Sequence, residues 1–167
     1  MLSKLAMDIP AELIELFSAF ADAGVRYLLV GGHAVSAHGR PRSTKDVDLW
    51  LAPSADNINR ACTALSVFGV PAEIVVALRD AQVDDIVWLG RPPTRIDLLQ
   101  SIPAVDFEDA WPRRLTLELG GVSISVIGKD ELIRNKRAVG RPQDLRDVRA
   151  LSGSGGGERA RKKRKKR

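Results

Sequence analysis

Apolar positions along the chain switch between helical and strand spacing. Over positions 9–23, Leu13, Leu16, Phe17 and Phe20 recur on one side, which predicts an amphipathic helix with Pro10 in its first turn. Gly24 supplies the stop. Tyr27-Leu28-Leu29-Val30 is an unbroken apolar run, so 25–30 predicts a buried strand that runs into Gly31-Gly32. The small residues of 33–38 predict a short helix. Pro41 makes 39–42 a loop, because it lacks a donor and restricts Arg40. Positions 47–51 predict a second strand, with Asp46 and Asp48 on one face of it. Ser54 is a candidate N-cap for a helix over 55–68.

Beyond this, 71–82 predicts another short helix. Positions 85–89 and 94–99 predict two strands joined by Gly90-Arg91-Pro92-Pro93. A helical turn is expected at 107–111, and 114–119 with 122–126 predicts a hairpin about Gly120-Gly121. Helices are expected at 129–138 and 142–151, separated by Gly140. The order predicts an α+β fold: a mixed β-sheet flanked by helices. Trp50, Trp88 and Trp111 lie among apolar residues and are expected in the core or at its edge, and Cys62 is expected to pack on its helix.

Charge changes the picture only at the C-terminus. The net charge is +5, but eight of the 26 basic residues lie beyond Glu158. That leaves 18 basic against 20 acidic residues in positions 1–157, a body of net charge −2. The expected organisation is therefore one domain over 1–151 and a flexible Gly/Ser linker with a basic disordered tail over 152–167. A tail of that composition attracts phosphate backbones without sequence preference, and so suits nucleic acid. No apolar run is long enough to span a bilayer, and no leader with a basic and then an apolar region is evident at the start. With Cys62 as the only cysteine, a cytoplasmic setting and no membrane partner are expected.

The candidate chemistry lies in Asp46-Val47-Asp48 and in Ile96-Asp97-Leu98. Two carboxylates two residues apart on a strand sit roughly 7 Å from each other on one face. Their repulsion, and the burial of Asp97 among apolar neighbours, are relieved by a hard divalent cation. Mg²⁺ (or Mn²⁺) prefers a few carboxylates together with phosphate oxygens. Such a site activates an attacking hydroxyl, with Asp97 as the candidate general base. Gly31 and Gly32 let the backbone approach a phosphate, and the helix start behind them offers N–H groups.

Val30-Gly31-Gly32, then thirteen residues, then Asp46-Val47-Asp48-Leu49 resembles the signature of the polymerase-β-like nucleotidyltransferase superfamily. The stretch from Gly31 to Asp48, and the ending Leu132-Ile133-Arg134-Asn135-Lys136 with Gly140-Arg141-Pro142-Gln143-Asp144, resemble its small stand-alone prokaryotic members. These include toxin and abortive-infection nucleotidyltransferases. The resemblance implies transfer of a nucleoside monophosphate from an NTP with release of pyrophosphate. It implies Asp46, Asp48 and Asp97 as catalytic and metal-binding residues. Gly31, Gly32, Arg42, Lys45 and Lys136 are implied at the nucleotide, with Lys136 near the phosphates. Arg141 and Asp144 are expected as salt-bridge partners between helices. His33 stands where many members carry serine.

The acceptor implied is an RNA, such as a tRNA 3′ end, or a hydroxyl on a partner protein, with a toxin–antitoxin role. An aminoglycoside is disfavoured because no second domain is evident. The competing expectation is a catalytically silent nucleotide- or nucleic-acid-binding module, antitoxin-like, on the same fold.

Overall fold

Helix α1 (Ala11–Ala23) buries Leu13, Leu16, Phe17 and Phe20. It ends at Gly24 with φ of 69°, and the Val25 N–H donates back to Phe20 O at 2.9 Å. Val25 thereby belongs to the helix cap, which is why β1 (Tyr27–Val30) begins two residues later than its apolar run suggests. The computed structural model describes residues 9–91 and 94–164, with side chains as far as residue 153. Then follow α2 (Gly31–Ala37), β2 (Asp46–Leu51), α3 (Ala55–Phe68), α4 (Ala72–Asp80), β3 (Ile86–Leu89) and β4 (Arg95–Leu99). After these come α5 (Phe107–Ala110), a 3-10 turn (Trp111–Arg113), β5 (Leu115–Leu119), β6 (Val122–Val126), α6 (Lys129–Val139) and α7 (Pro142–Arg164).

The six strands form one mixed sheet in the order β3-β4-β2-β1-β6-β5. β2 runs parallel to β4, and β1 to β6; the other neighbours are antiparallel. Because side chains alternate along a strand, each face has its own set. Tyr27, Leu29, Val47, Leu49, Leu51, Ile96 and Leu98 share one face by register. Phe17 and Phe20 of α1 meet Tyr27 there, with ring centroids 5.4 and 5.6 Å away. The opposite face carries Val30, Asp46, Asp48, Trp50, Arg95, Asp97, Ile86 and Trp88. Phe107 of α5 closes its inner end, edge-on to Trp50 at 5.0 Å. The outer end of this face stays open.

Two polar ties fix the frame. The buried Asn57 accepts from Arg26 N at 2.8 Å and donates to Arg26 O and Ala52 O, each at 2.9 Å. It joins the entry of β1 and the exit of β2 to α3. His38 Nε2 donates to Ile127 O at 2.7 Å, joining the end of α2 to the end of β6.

Two expectations are corrected. Trp50 is core and Trp111 is half-buried against Phe107, but Trp88 is 61% exposed, because β3 is an edge strand. Helix α7 also continues through the Ser/Gly run, where a linker was expected, to Arg164. Helix extension adds one hydrogen bond per residue once a helix exists, and Arg, Lys, Ala and Glu are good helix formers. Leu151 is fully buried, and Ser152 and Gly153 after it are exposed. Pro92 and Pro93 of the β3–β4 connection, and Lys165 to Arg167 of the tail, lie outside the described residues. Among the described residues no helix is long and apolar enough to cross a membrane.

Candidate active site

The parallel pairing of β2 with β4 sets Asp48 level with Asp97, and Asp46 level with Arg95. The three acids therefore share one face, as the sequence spacing indicated for Asp46 and Asp48. Asp97 is 8% exposed. Burial pushes the Asp48 carboxyl up to about 6, helped by the charges of Asp97 and Asp46 and by a hydrogen bond with Asp97; the Lys136 ammonium opposes this. These carboxylates are short of positive charge.

Gly31 explains how Asp48 fits. It has φ of 68°, and a Cβ built on it would overlap Asp48 Oδ2. The glycine thus makes room for a carboxylate as well as for any phosphate. At Gly32 a Cβ would stand 2.8 Å from Thr44 Oγ1 and 3.0 Å from Arg42 Nη2. The turn is sealed between β2 and the loop before it.

Arg95 partly answers the missing charge, and sequence reasoning passed over it. Its Nε donates to Asp97 Oδ1 at 2.8 Å and its Nη2 to Asp97 Oδ2 at 3.2 Å. The same Nη2 lies 3.8 Å from Asp46 Oδ2. Its guanidinium carbon is 5.1 Å from the centroid of the Trp88 ring. The signal was available: in Arg95-Ile96-Asp97 the arginine is two residues from the acid, so it must share its face. Among the described residues no group of three His, Cys, Asp or Glu side chains is disposed to hold a metal ion. Asp97 accepts from Arg95 with both oxygens, and each oxygen keeps further acceptor capacity. The donor set still suits a hard divalent cation by its chemistry: three carboxylates on one face, one of them held protonated to about pH 6.

A cleft of about 970 Å³ opens over these acids. Gly31, Gly32, Asp46, Asp48 and Asp97 line it, and Arg42, Lys136, Arg141 and Arg146 form its cationic wall. Lys136 is buried, with its ammonium 3.2 Å from Asp144 and 2.9 Å from Asp147. Arg42 lies 3.1 Å from Asp147. Arg141 donates to Asp144 at 2.8 Å, a local pair at the start of α7, and Lys136 joins α6 to α7 through the same acid, a tie the sequence reading had given to Arg141 and Asp144. Burial pushes the Asp144 carboxyl up, but hydrogen bonds from Arg141 and Lys136 outweigh it and hold it below its ordinary value. Lys45 is exposed and is not part of the cleft lining, so it is not brought together with the other candidates. His33 is buried in α2, at the position beside the glycine turn.

Acids and cations lining one cleft, around a glycine turn, suit a polyphosphate whose reacting end sits over the carboxylates. No family model and no curated protein matches the sequence. Among solved structures the chain is similar to the lincosamide antibiotic adenylyltransferase LnuA with lincomycin bound, at 17% identity and a TM-score of 0.58 over 86% of this chain and 96% of that one. It is similar to the antibiotic-resistance factor ANT(2″)-Ia, at 15% identity and a TM-score of 0.58 over 88% and 84%. It is also similar to an antigenic nucleotidyltransferase-like protein from Paracoccidioides brasiliensis, at 18% identity and a TM-score of 0.56 over 83% and 73%.

Proposed function

From the polymerase-β-like nucleotidyltransferase fold that this chain has, we propose that it moves a nucleoside monophosphate from an NTP to a hydroxyl acceptor. The acceptor is an RNA, with a tRNA 3′ end as the favoured form, or a partner protein, and the setting is a cytoplasmic toxin–antitoxin pair. The observation that carries this reading is the register of Asp48 with Asp97, with Asp46 on the same face and Gly31 opening the space above Asp48.

In the proposed reaction the triphosphate lies along Gly31, Gly32 and the cationic wall of Arg42, Lys136 and Arg141. Asp97 takes the proton of the acceptor hydroxyl. The acceptor oxygen bonds to the α-phosphorus as the bond from that phosphorus to the β-phosphate bridging oxygen breaks, and pyrophosphate leaves. Asp46, Asp48 and Asp97 would hold Mg²⁺ or Mn²⁺, which supplies charge neutralisation at the α-phosphate. Arg95 must turn off Asp97 for that acid to serve as base. Lys136, tied to Asp144 and Asp147, sets the field of the wall and also orients the two helices.

The test uses purified protein, Mg²⁺, each of the four α-³²P-labelled NTPs, and tRNA, cell protein, lincomycin or tobramycin as acceptor. Asp46→Ala runs alongside. Label on a macromolecule that disappears with Asp46→Ala supports the proposal and identifies base and acceptor class. Label on a drug moves the acceptor to small molecules. No transfer by the wild type, with nucleotide still bound, favours the silent binding module, for which the Arg95–Asp97 contact is the supporting observation.

A further inference from the structure

Trp88 and Ile86 are 61% and 51% exposed on the same face of edge strand β3. Bulky apolar side chains on a sheet edge invite unwanted strand pairing, so a use for them is implied. That face is the one that carries the acids. Trp88 pairs in register with Asp97, and Ile86 with Leu99. Directly opposed residues of an antiparallel pair have Cβ atoms about 4.5–5.5 Å apart. Trp88 does not itself line the cleft, but Ile86 on its strand and Arg95 against its ring do, so a flat ring laid on the indole sits at the cleft's β3 rim, one strand from Asp97.

We propose that Trp88, with Ile86 beside it and Arg95 bracing it, is the shelf on which the terminal base of a single-stranded RNA acceptor stacks. This rests on the transferase reading and narrows its acceptor from RNA or protein to RNA.

The sheet order separates the two substrates. The glycine turn leaves β1, on one side of Asp48, while Trp88 stands two strands away on the other side, beyond β4. The phosphates belong to the first side and the acceptor to the second. Arg95 holds the indole from one direction, at 5.1 Å, and grips Asp97 from the other. Base stacking on such an aromatic and guanidinium pair is tolerant of sequence. The rim beside Ile86 carries Asp84 and Asp85, both lining the cleft. Asp84 Oδ1 accepts from Ser101 Oγ at 2.9 Å, and Asp85 Oδ2 from Gln82 N at 2.8 Å. Each keeps further acceptor capacity. Carboxylates at this rim repel phosphates but receive the exocyclic amino groups of adenine or cytosine. The charge of the rim therefore selects the base end of the acceptor, not its backbone.

The experiment measures binding, without turnover, of 5′-labelled ribotetranucleotides ending in A, C or U to the full-length protein. It is read by anisotropy at 0.3 M salt, which suppresses the basic tail. Wild type, Trp88→Ala and Trp88→Phe are compared, and ATP affinity is measured on each. Loss of one stacking platform weakens oligonucleotide binding roughly 5- to 100-fold. The expected result is that loss with Trp88→Ala, recovery with Trp88→Phe, unchanged ATP affinity, and weaker binding of the U-ended probe. The proposal is overturned by a wild type that binds no oligonucleotide, by Trp88→Ala binding within twofold of wild type, or by parallel loss of ATP and oligonucleotide. Failure of the transfer reading appears in the labelling assay and leaves these binding results standing.

Discussion

At the scale of single residues the site is a balance of charge. The Asp48 carboxyl is pushed up to about 6 by burial and by the charges of Asp97 and Asp46. In the metal-free protein the native state keeps this proton between about pH 4 and pH 6, while the unfolded chain has released it. The resulting stabilisation is fully present below the unfolded value and is lost as pH rises through about 6, by up to about 3 kcal/mol. Asp48→Asn removes the titration. Chemical denaturation from pH 4 to pH 8 should show a falling wild-type curve and a flatter variant, and parallel curves would contradict the assignment. Arg95 makes a second prediction at this scale. Its charge-assisted bonds to Asp97 compete with a cation for the same oxygens. Arg95→Gln should therefore raise Mn²⁺ affinity without nucleotide about tenfold or more, read by electron paramagnetic resonance. Unchanged or weaker affinity would mean that the arginine is no competitor.

At the scale of elements, the sheet depends on the helix laid across its closed face. Phe17 is fully buried and stacks on Tyr27 with an interplanar angle of 13°. Phe17→Ala should cost about 3–5 kcal/mol, measured as a lower denaturation midpoint with unchanged slope. The elements most legible in the sequence were those whose apolar pattern is unambiguous: α1, β1, β2 and the β5–β6 hairpin. Asp46 and Asp48 were placed on one face by alternation alone. What alternation does not carry is lateral order. Nothing in Ile86-Val87-Trp88-Leu89 says that β3 is an edge, so Trp88 was expected in the core or at its border and stands 61% exposed instead. The pairing of Asp48 with Asp97 depends on β4 lying next to β2, a contact between residues 49 positions apart. Arg95, by contrast, was legible: two residues from Asp97 on one strand, it shares that acid's face by the same alternation. The length of α7 was hidden because its Gly/Ser run has poor helix propensity.

For the molecule as a whole, core and tail are separable. Among the described side chains Leu151 is the last in the apolar core, and α7 continues beyond it to Arg164. Deleting residues 152–167 should leave the thermal midpoint within about 1–2 °C, since no described core side chain is lost. It should also lower affinity for tRNA at low salt and flatten the salt dependence. Equal RNA binding with and without the segment would remove the tail from the acceptor's path. The sheet order has a consequence for how the protein comes into being. β4 enters between β2, already emerged, and β3, made just before it. A chain still on the ribosome, short of β4, holds Asp46 and Asp48 but lacks Asp97, the proposed general base, and the strand that positions it. This non-local pairing carries a loop-closure cost and joins late. The topology thus acts as a timer: no fragment that ends before β4 carries the full set of acids on which the proposed transfer depends.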